Sequence, residues 1–325
     1  MNREDMKRMF KLGCSLCIAC ALYVPGVQAR TITLGYVAAG MQFPFNVSVV
    51  KGFTEEARKV GVNIIVLDGK SNVETQGNGI DDLIAQKVDG VAVLPIDGAV
   101  AKSWADRVSA HGLPFVSVAT EIGDPQKRPI RDVYPNVTAL VSSDEIHTGE
   151  ISGEIAATLL PRKRVARIAI LEGAPGMAQN WQRTKGFKEG LDKTGMKYQI
   201  VASQPTDLTP EQGESVCQNI LTAHPDVDLF YNQADDLVIG CAKAVHAAGS
   251  HARLVGWGGS RLGIAAIKAG DVDGTVCVEP EKMGQLAFKA LYAAVTKSDT
   301  QKGQFIEVVT PPVTKSNVAS CVPQW

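Results

Sequence analysis

No catalytic signature occurs in these 325 residues. The sequence lacks a G-x-S-x-G turn, an H-E-x-x-H helix and a lysine-containing phosphate loop, which removes the commonest serine-hydrolase, zinc-protease and nucleotide-hydrolase chemistries. Histidine is sparse, with five copies: His111, His147, His224, His246 and His251. All but His147 fall at predicted helix ends or turns, where positive charge near a helix C-terminus is favourable without any catalytic role. His147 opens a helix, but no nucleophile accompanies it, and a general base needs a partner within hydrogen-bond reach. There is no basic stripe or run, so nucleic-acid binding has no electrostatic footprint. There is no low-complexity tract either, so disorder is not the default. The expectation is a protein that is not an enzyme and carries no cofactor and no metal.

What is present begins with a distinct first segment. Arg3, Lys7, Arg8 and Lys11 precede an uncharged apolar run over 12–24, and Val27, Gln28 and Ala29 follow. This order predicts a secretory signal peptide cleaved after Ala29, and hence an exported protein. The run is shorter than the ~20 apolar residues of a spanning helix, so an uncleaved anchor is the weaker alternative. The leader holds four of the 33 basic and two of the 34 acidic residues, so the mature chain carries 29 against 32, a net of −3.

Four of the seven cysteines follow the leader: Cys217, Cys241, Cys277 and Cys321. None of the four has C-x-x-C or zinc spacing. In an oxidising compartment they permit two disulfides in three pairings. Cys217 and Cys241 fall on consecutive predicted helices and Cys277 and Cys321 on two late segments, which favours that pairing. Four buried thiols are the alternative.

Apolar β-branched runs alternate with amphipathic segments along the rest of the chain. Strands are predicted over 32–38, 62–67, 90–94 and 114–118, separated by helices over 47–61, around 80–84, and over 100–110. Residues 121–136, rich in Pro, Asp and Arg, predict an irregular crossing loop. Strands then follow over 139–143, 165–171, 198–202, 229–232 and 254–257, again with helices between them. Continuous apolar strands between amphipathic helices predict parallel sheets covered on both faces. Two such runs predict an α/β protein of two doubly wound parallel-sheet lobes.

Several stretches resemble the ribose-binding branch of type I periplasmic binding proteins. They are Ala202-Ser203-Gln204-Pro205, Asn219-Ile220-Leu221-Thr222-Ala223-His224-Pro225-Asp226-Val227, Phe43-Pro44-Phe45-Asn46-Val47-Ser48-Val49, Gly186-Phe187 after Arg183, Ser143-Asp144, and Val255-Gly256-Trp257-Gly258-Gly259. The resemblance spans about 31–310. It implies an N-terminal lobe of 30–141 plus 278–307, and a C-terminal lobe of 142–277 plus 308–325. It also implies a three-crossover hinge, near 120–141, 277–279 and 307–309, with a ligand cleft between the lobes. The family is similar as well to the effector domain of LacI-type repressors, but the place of their DNA-binding helices holds the leader here.

The resemblance further implies a periplasmic location, a small-molecule ligand, a monomer, and an ABC permease in the inner membrane as partner. A chemoreceptor or sensor kinase is the alternative partner. Positions that carry the polar set of the family's sugar binders fall here on Leu94, Ala119, Thr120, Trp181, Ala234, Gly258 and Val278, with Asp235 kept. A buried sugar hydroxyl left without a partner costs roughly 1–3 kcal/mol. The expectation is therefore a non-standard ligand with an apolar or planar face, with a sugar or sugar alcohol held in a different pose as the alternative. Phe43, Phe45, Trp181 and Trp257, with Tyr134 joining from the crossing loop, are expected to wall the cleft. Asn46, Gln179, Asn180, Arg183, Asn232, Asp235 and Glu279 are expected to supply its orienting polar groups. Arg183 is expected to clamp an anionic group, with pairing to Glu172 or Asp235 at the lobe surface as the alternative. Trp104 and Tyr292 are expected in the core, and Trp325 carries no assignment.

Overall fold

A computed structural model describes residues 30–299 and 301–325; the leader and its expected cleavage site lie outside the described residues. Two six-stranded sheets are present. The first runs in the order β2 (Asn63–Asp68), β1 (Thr33–Ala38), β3 (Gly90–Val93), β4 (Phe115–Val118), β5 (Ala139–Ser142), β11 (Gln304–Glu307), and every pairing is parallel. The second runs β7 (Tyr198–Gln204), β6 (Ala166–Leu171), β8 (Leu229–Asn232), β9 (Arg253–Val255), β10 (Gly274–Val276), β12 (Pro312–Thr314), with β12 antiparallel to β10. Each sheet is wound outward in both directions from its first strand. A switch point results between β1 and β3, and another between β6 and β8, where ligands of open α/β sheets bind.

Helices α1 (Pro44–Lys59), α2 (Val73–Ala85), α3 (Gly98–Ala110) and α9 (Pro280–Val295) cover the first sheet. On the face under α1 and α9, Phe53 meets Tyr36 at 5.1 Å and Phe288 at 5.6 Å. On the face under α2 and α3, Ile80, Leu83, Trp104 and Phe115 form a second buried layer. Helices α4 (Glu145–Leu159), α5 (Ala178–Lys193), α6 (Pro210–Ala223), α7 (Asp235–Ala247) and α8 (Arg261–Ala269) belong with the second sheet. There Phe187 and Tyr231 stack at 4.2 Å, and Phe230 and Leu237 pack on the opposite face. Full burial of each such side chain contributes about 1.5–3 kcal/mol.

The helices approach closely because small residues meet at their contacts. A Cβ on Gly186 of α5 would lie 1.9 Å from the carbonyl oxygen of Ile146 on α4. That proximity packs the first turn of α4 against the middle of α5, and these two helices carry much of the site described below. Two disulfides take the pairing favoured by the sequence. Cys217–Cys241 joins α6 to α7, with Cα atoms 5.3 Å apart. Cys277–Cys321 joins the end of β10 to a later segment, with Cα atoms 5.7 Å apart.

The chain passes between the sheets three times: after β5, after β10 and after β11. The first pass corrects the sequence expectation. The irregular stretch over 121–136 joins β4 to β5, which are neighbours in one sheet. The crossing comes later, at Ser143 and Asp144, because Ala139–Ser142 pairs with β4 and β11 and does not start the second sheet. Ser143 Oγ and Thr310 Oγ1 lie 2.8 Å apart at the crossings.

Candidate functional site

The carboxyl ends of the two sheets meet. On the first sheet, β1 runs into a tight turn before α1, where Pro44 presets the backbone for the first helical turn. Buried Asn46 donates from Nδ2 to the Gly40 carbonyl, 2.8 Å away, and so fixes this turn. Phe43 and Phe45 are half-buried on either side of Pro44. Gln76, fully buried on α2, ties the switch point together: its Nε2 donates to the carbonyls of Ala38 and Leu94, and its Oε1 accepts from Ile96 N. At the end of β4, Ala119 takes a left-handed φ of 60°, and Thr120 Oγ1 donates to the Pro95 carbonyl at 2.9 Å.

On the second sheet, α5 presents Gln179, Gln182 and Arg183 on its buried face. Gln179 reaches across to the first sheet, where its Nε2 lies 3.1 Å from both the Ala119 carbonyl and Thr120 Oγ1. Gln182 Nε2 donates to the Glu121 carboxylate, a second bond between the lobes. Burial pushes the Glu121 pKa up to about 7; the Gln182 hydrogen bond opposes the shift, while nearby Asp144 and Glu145 add to it.

Arg183 sits at the centre of a buried network. Its Nε donates to Glu145 Oε2 at 2.7 Å and its Nη1 to the Gln233 carbonyl at 2.8 Å. The guanidinium lies 3.3 Å from the centroid of the Trp257 ring, close enough for a strong cation–π contact. Trp257 is buried against hydrophobic residues of the first sheet and donates from Nε1 to Thr148 Oγ1 at 3.2 Å. The free anion clamp expected at Arg183 is therefore corrected: its charge is matched by Glu145, 38 residues away on another helix. A buried charge pair of this kind is tolerated because its desolvation is offset by several hydrogen bonds.

Other expected site residues are placed differently. Asp235 is buried and accepts from Ser260 N at 2.7 Å and Thr275 Oγ1 at 2.8 Å, so it organises the turn between β9 and α8. Burial raises its pKa against these bonds, which lower it. Asn232 is buried at the end of β8; its Nδ2 makes two long contacts of 3.4 Å to carbonyls, and its Oδ1 has no partner among the described residues. Asn180 donates to the carbonyls of Gly173 and Ala174, closing the loop before α5. Trp181 is 36 % exposed, with the Lys185 ammonium 5.7 Å from its ring, on a face of α5 that Gln179, Gln182 and Arg183 do not share. Glu279 is half-buried at the start of α9 and pairs with Lys282 at 3.0 Å. Tyr134 turns toward α3 and donates to Asp106 Oδ1 at 2.8 Å. The structure thus brings together Gln179, Arg183 and Trp257, and adds Glu121, Glu145, Thr148 and Gln182, which sequence reasoning missed.

Phe45 meets a further residue without a sequence assignment. Its ring lies edge-on to Trp325, with centroids 5.6 Å apart and planes at 89°. No helix among the described residues is long and apolar enough to cross a membrane. Among the same residues no cluster of three or more His, Cys, Asp or Glu side chains is placed to hold a metal ion.

Comparison with known proteins gives consistent matches. The family described as "Periplasmic binding protein domain" matches residues 34–299. The ribose import binding protein of Bacillus subtilis (strain 168) is 29% identical over 297 residues, covering 89% of this chain and 92% of that protein. The D-allose-binding periplasmic protein of Escherichia coli (strain K12) is 26% identical over 260 residues, covering 77% and 80%. Among solved structures, the Caulobacter myo-inositol binding protein bound to myo-inositol is similar with a TM-score of 0.80 at 24% identity, covering 89% of this chain and 96% of that one. A galactofuranose binding protein gives 0.80 at 20% identity, with the same coverage.

Proposed function

The chain belongs to the periplasmic binding protein domain family, on its ribose-binding branch, and from that premise we propose that it captures one small, uncharged polyhydroxylated solute between its lobes and delivers it to an ABC importer. Its curated relatives are named as binding proteins for import, not as enzymes. The observation that carries the reading is the pair of bonds from Gln179 on α5 to Ala119 and Thr120 after β4, which join the two sheets at their carboxyl ends. A ligand that binds this joined arrangement better than the separated one shifts the population toward it, by as much as its affinities differ.

The chemistry of the site favours a neutral ligand. The one arginine at its centre is matched by Glu145. Phe45 and Trp257 offer carbon-rich surface suited to the apolar face of a sugar or cyclitol. Glu121, with its pKa near 7, both donates and accepts hydrogen bonds to hydroxyls around neutral pH. With Leu94, Ala234, Gly258 and Val278 at positions polar in the family's sugar binders, the ligand sits in a pose other than that of ribose, with its apolar face against the rings.

A thermal-shift panel tests this reading. Residues 30–325 are melted with D-ribose, D-allose, D-galactose, myo-inositol, amino acids, aromatic acids and quaternary amines. A compound that binds only the folded protein stabilises it by about 2.7 kcal/mol at a hundredfold excess over its Kd. The expected hit is a cyclic polyol or sugar. A shift confined to aromatic acids or amines contradicts the reading.

A further inference from the structure

Residues 321–325 join the two lobes by a route separate from the hinge crossings. Cys321 is bonded to Cys277 at the end of β10, which anchors the segment on the second sheet. Three residues later Gln324 is attached to the first-sheet lobe. Its backbone carbonyl accepts from Ser48 Oγ on α1 at 2.9 Å, and its side-chain Oε1 accepts from Glu281 N in the first turn of α9 at 2.8 Å. The next residue returns to the second-sheet lobe: Trp325 O accepts from Arg261 N, the first residue of α8, at 2.8 Å. First-turn N–H groups have no partner inside their own helix. Consecutive residues therefore satisfy helix starts from opposite lobes. Glu279, which precedes α9, makes no capping bond with its own side chain, so Gln324 supplies a bond that α9 otherwise lacks.

The Trp325 ring spans the same gap. It meets Phe45 at the start of α1, and its Cζ2 would lie 3.2 Å from a Cβ on Gly258 after β9. Phe45 opens α1 after β1, and Gly258 lies in the turn after β9, both on the carboxyl side of their sheets. Gly258 has a φ of 148°, which a residue with a side chain rarely adopts, so the space occupied by the indole is kept open by glycine.

We propose that residues 321–325 are a latch, clipped to one lobe by the Cys277–Cys321 disulfide, which holds the lobes together through Gln324, and that Trp325 is a wall of the ligand site beside Phe45. From Cys321 to Gln324 the chain spans three residues, a reach of about 10 Å when fully extended. A tether this short cannot follow the first-sheet lobe through a wide opening. Separation of the lobes breaks the bonds of Gln324 to Ser48 and Glu281, together with the Trp325–Phe45 contact. The latch concerns lobe position and stands without any ligand; the wall role rests on the cleft reading above.

The test separates the two. The chain from residue 30, the variants Gln324→Ala and Trp325→Ala, a deletion of residues 324–325, and the exposed control Val322→Ala are compared by small-angle X-ray scattering without ligand. Circular dichroism verifies that each is folded. A larger radius of gyration in the deletion, which removes both bonds of Gln324, with Val322→Ala unchanged, supports the latch; an unchanged radius in the folded deletion variant overturns it, and Gln324→Ala, which loses only the bond to Glu281 N, is expected to fall between the two. Kd is then measured by calorimetry for myo-inositol, D-ribose and D-allose. For any probe bound by the parent chain, Trp325→Ala weakens binding by roughly tenfold, the size of one or two net interactions, and an unchanged Kd overturns the wall role. Failure of all three probes to bind the parent contradicts the ligand reading and leaves the scattering result to decide the latch.

Discussion

Gln179 Nε2 and Thr120 Oγ1 stand 3.1 Å apart, a hydrogen bond between side chains carried by different sheets. Gln179 opens α5 on the second sheet, and Thr120 follows β4 of the first. The bond exists only when the lobes are together, so it contributes to closure and not to the stability of either lobe. Replacing Gln179 with Ala removes this bond and the one to Ala119 O. At about 1 kcal/mol net, the ligand Kd is expected to rise about fivefold while the unliganded melting temperature barely moves. Calorimetry beside a melting curve reads both.

Closure is expected to depend on pH through Glu121. Its carboxyl is pushed up to about 7 by burial in the joined arrangement, against an ordinary value of 4.5. A group whose pKa is raised favours the protonated form, so its contribution is fully present below about 4.5 and is lost as pH rises through 7. The lobes are held more firmly at pH 6 than at pH 8, and ligand affinity falls over that interval. Glu121→Gln, measured at both pH values, is expected to flatten the difference.

The Arg183–Glu145 pair is a structural centre that the cleft depends on. Both side chains are more than nine-tenths buried. Removing one partner leaves a buried charge uncompensated, which costs about 3–5 kcal/mol. Arg183→Met and Glu145→Gln are each expected to lower stability in urea by that amount. The double variant is expected to be more stable than the sum of the two losses predicts, which a double-mutant cycle measures.

The disulfides contribute by restricting the unfolded chain. Their separations are 24 and 44 residues, for which chain entropy gives about 3–4 kcal/mol each. Cys217→Ala with Cys241→Ala is expected to lower the melting temperature and leave ligand affinity unchanged, because that bond lies between α6 and α7 away from Gln179 and Arg183. A loss of affinity in this variant at a temperature where it is fully folded counts against the placement of the site.

Much of the fold was legible because burial on both faces writes itself into strands as unbroken apolar runs, as in Ile168-Ala169-Ile170-Leu171. The strands β10, β11 and β12 were not assigned: Gly274-Thr275-Val276, Gln304-Phe305-Ile306-Glu307 and Pro312-Val313-Thr314 hold no unbroken apolar run of the kind that marks the other strands. The site was legible in part. Phe45, Gln179 and Trp257 follow strands or open helices, and that position alone pointed to them. Whether Arg183 was free or paired could not be read, since Glu145 lies on another helix and only the packing of α4 on α5 brings it near. The outward position of Trp181 was readable from helical phase. Gln179, Gln182, Arg183 and Gly186 recur at i, i+3, i+4 and i+7, and Trp181 falls outside that set. Trp325 gave no local signal, because its role depends on a distant disulfide and on helix starts from both lobes.

The most direct test of the central claim is isothermal titration calorimetry of the chain from residue 30 with myo-inositol, D-ribose, D-allose and D-galactose at two temperatures. The account predicts saturable one-to-one binding of at least one of these, with a negative heat-capacity change from apolar surface buried as the sugar face meets the rings. Absence of binding to all four, with saturable binding of an aromatic acid or a quaternary amine to the same sample, would contradict it.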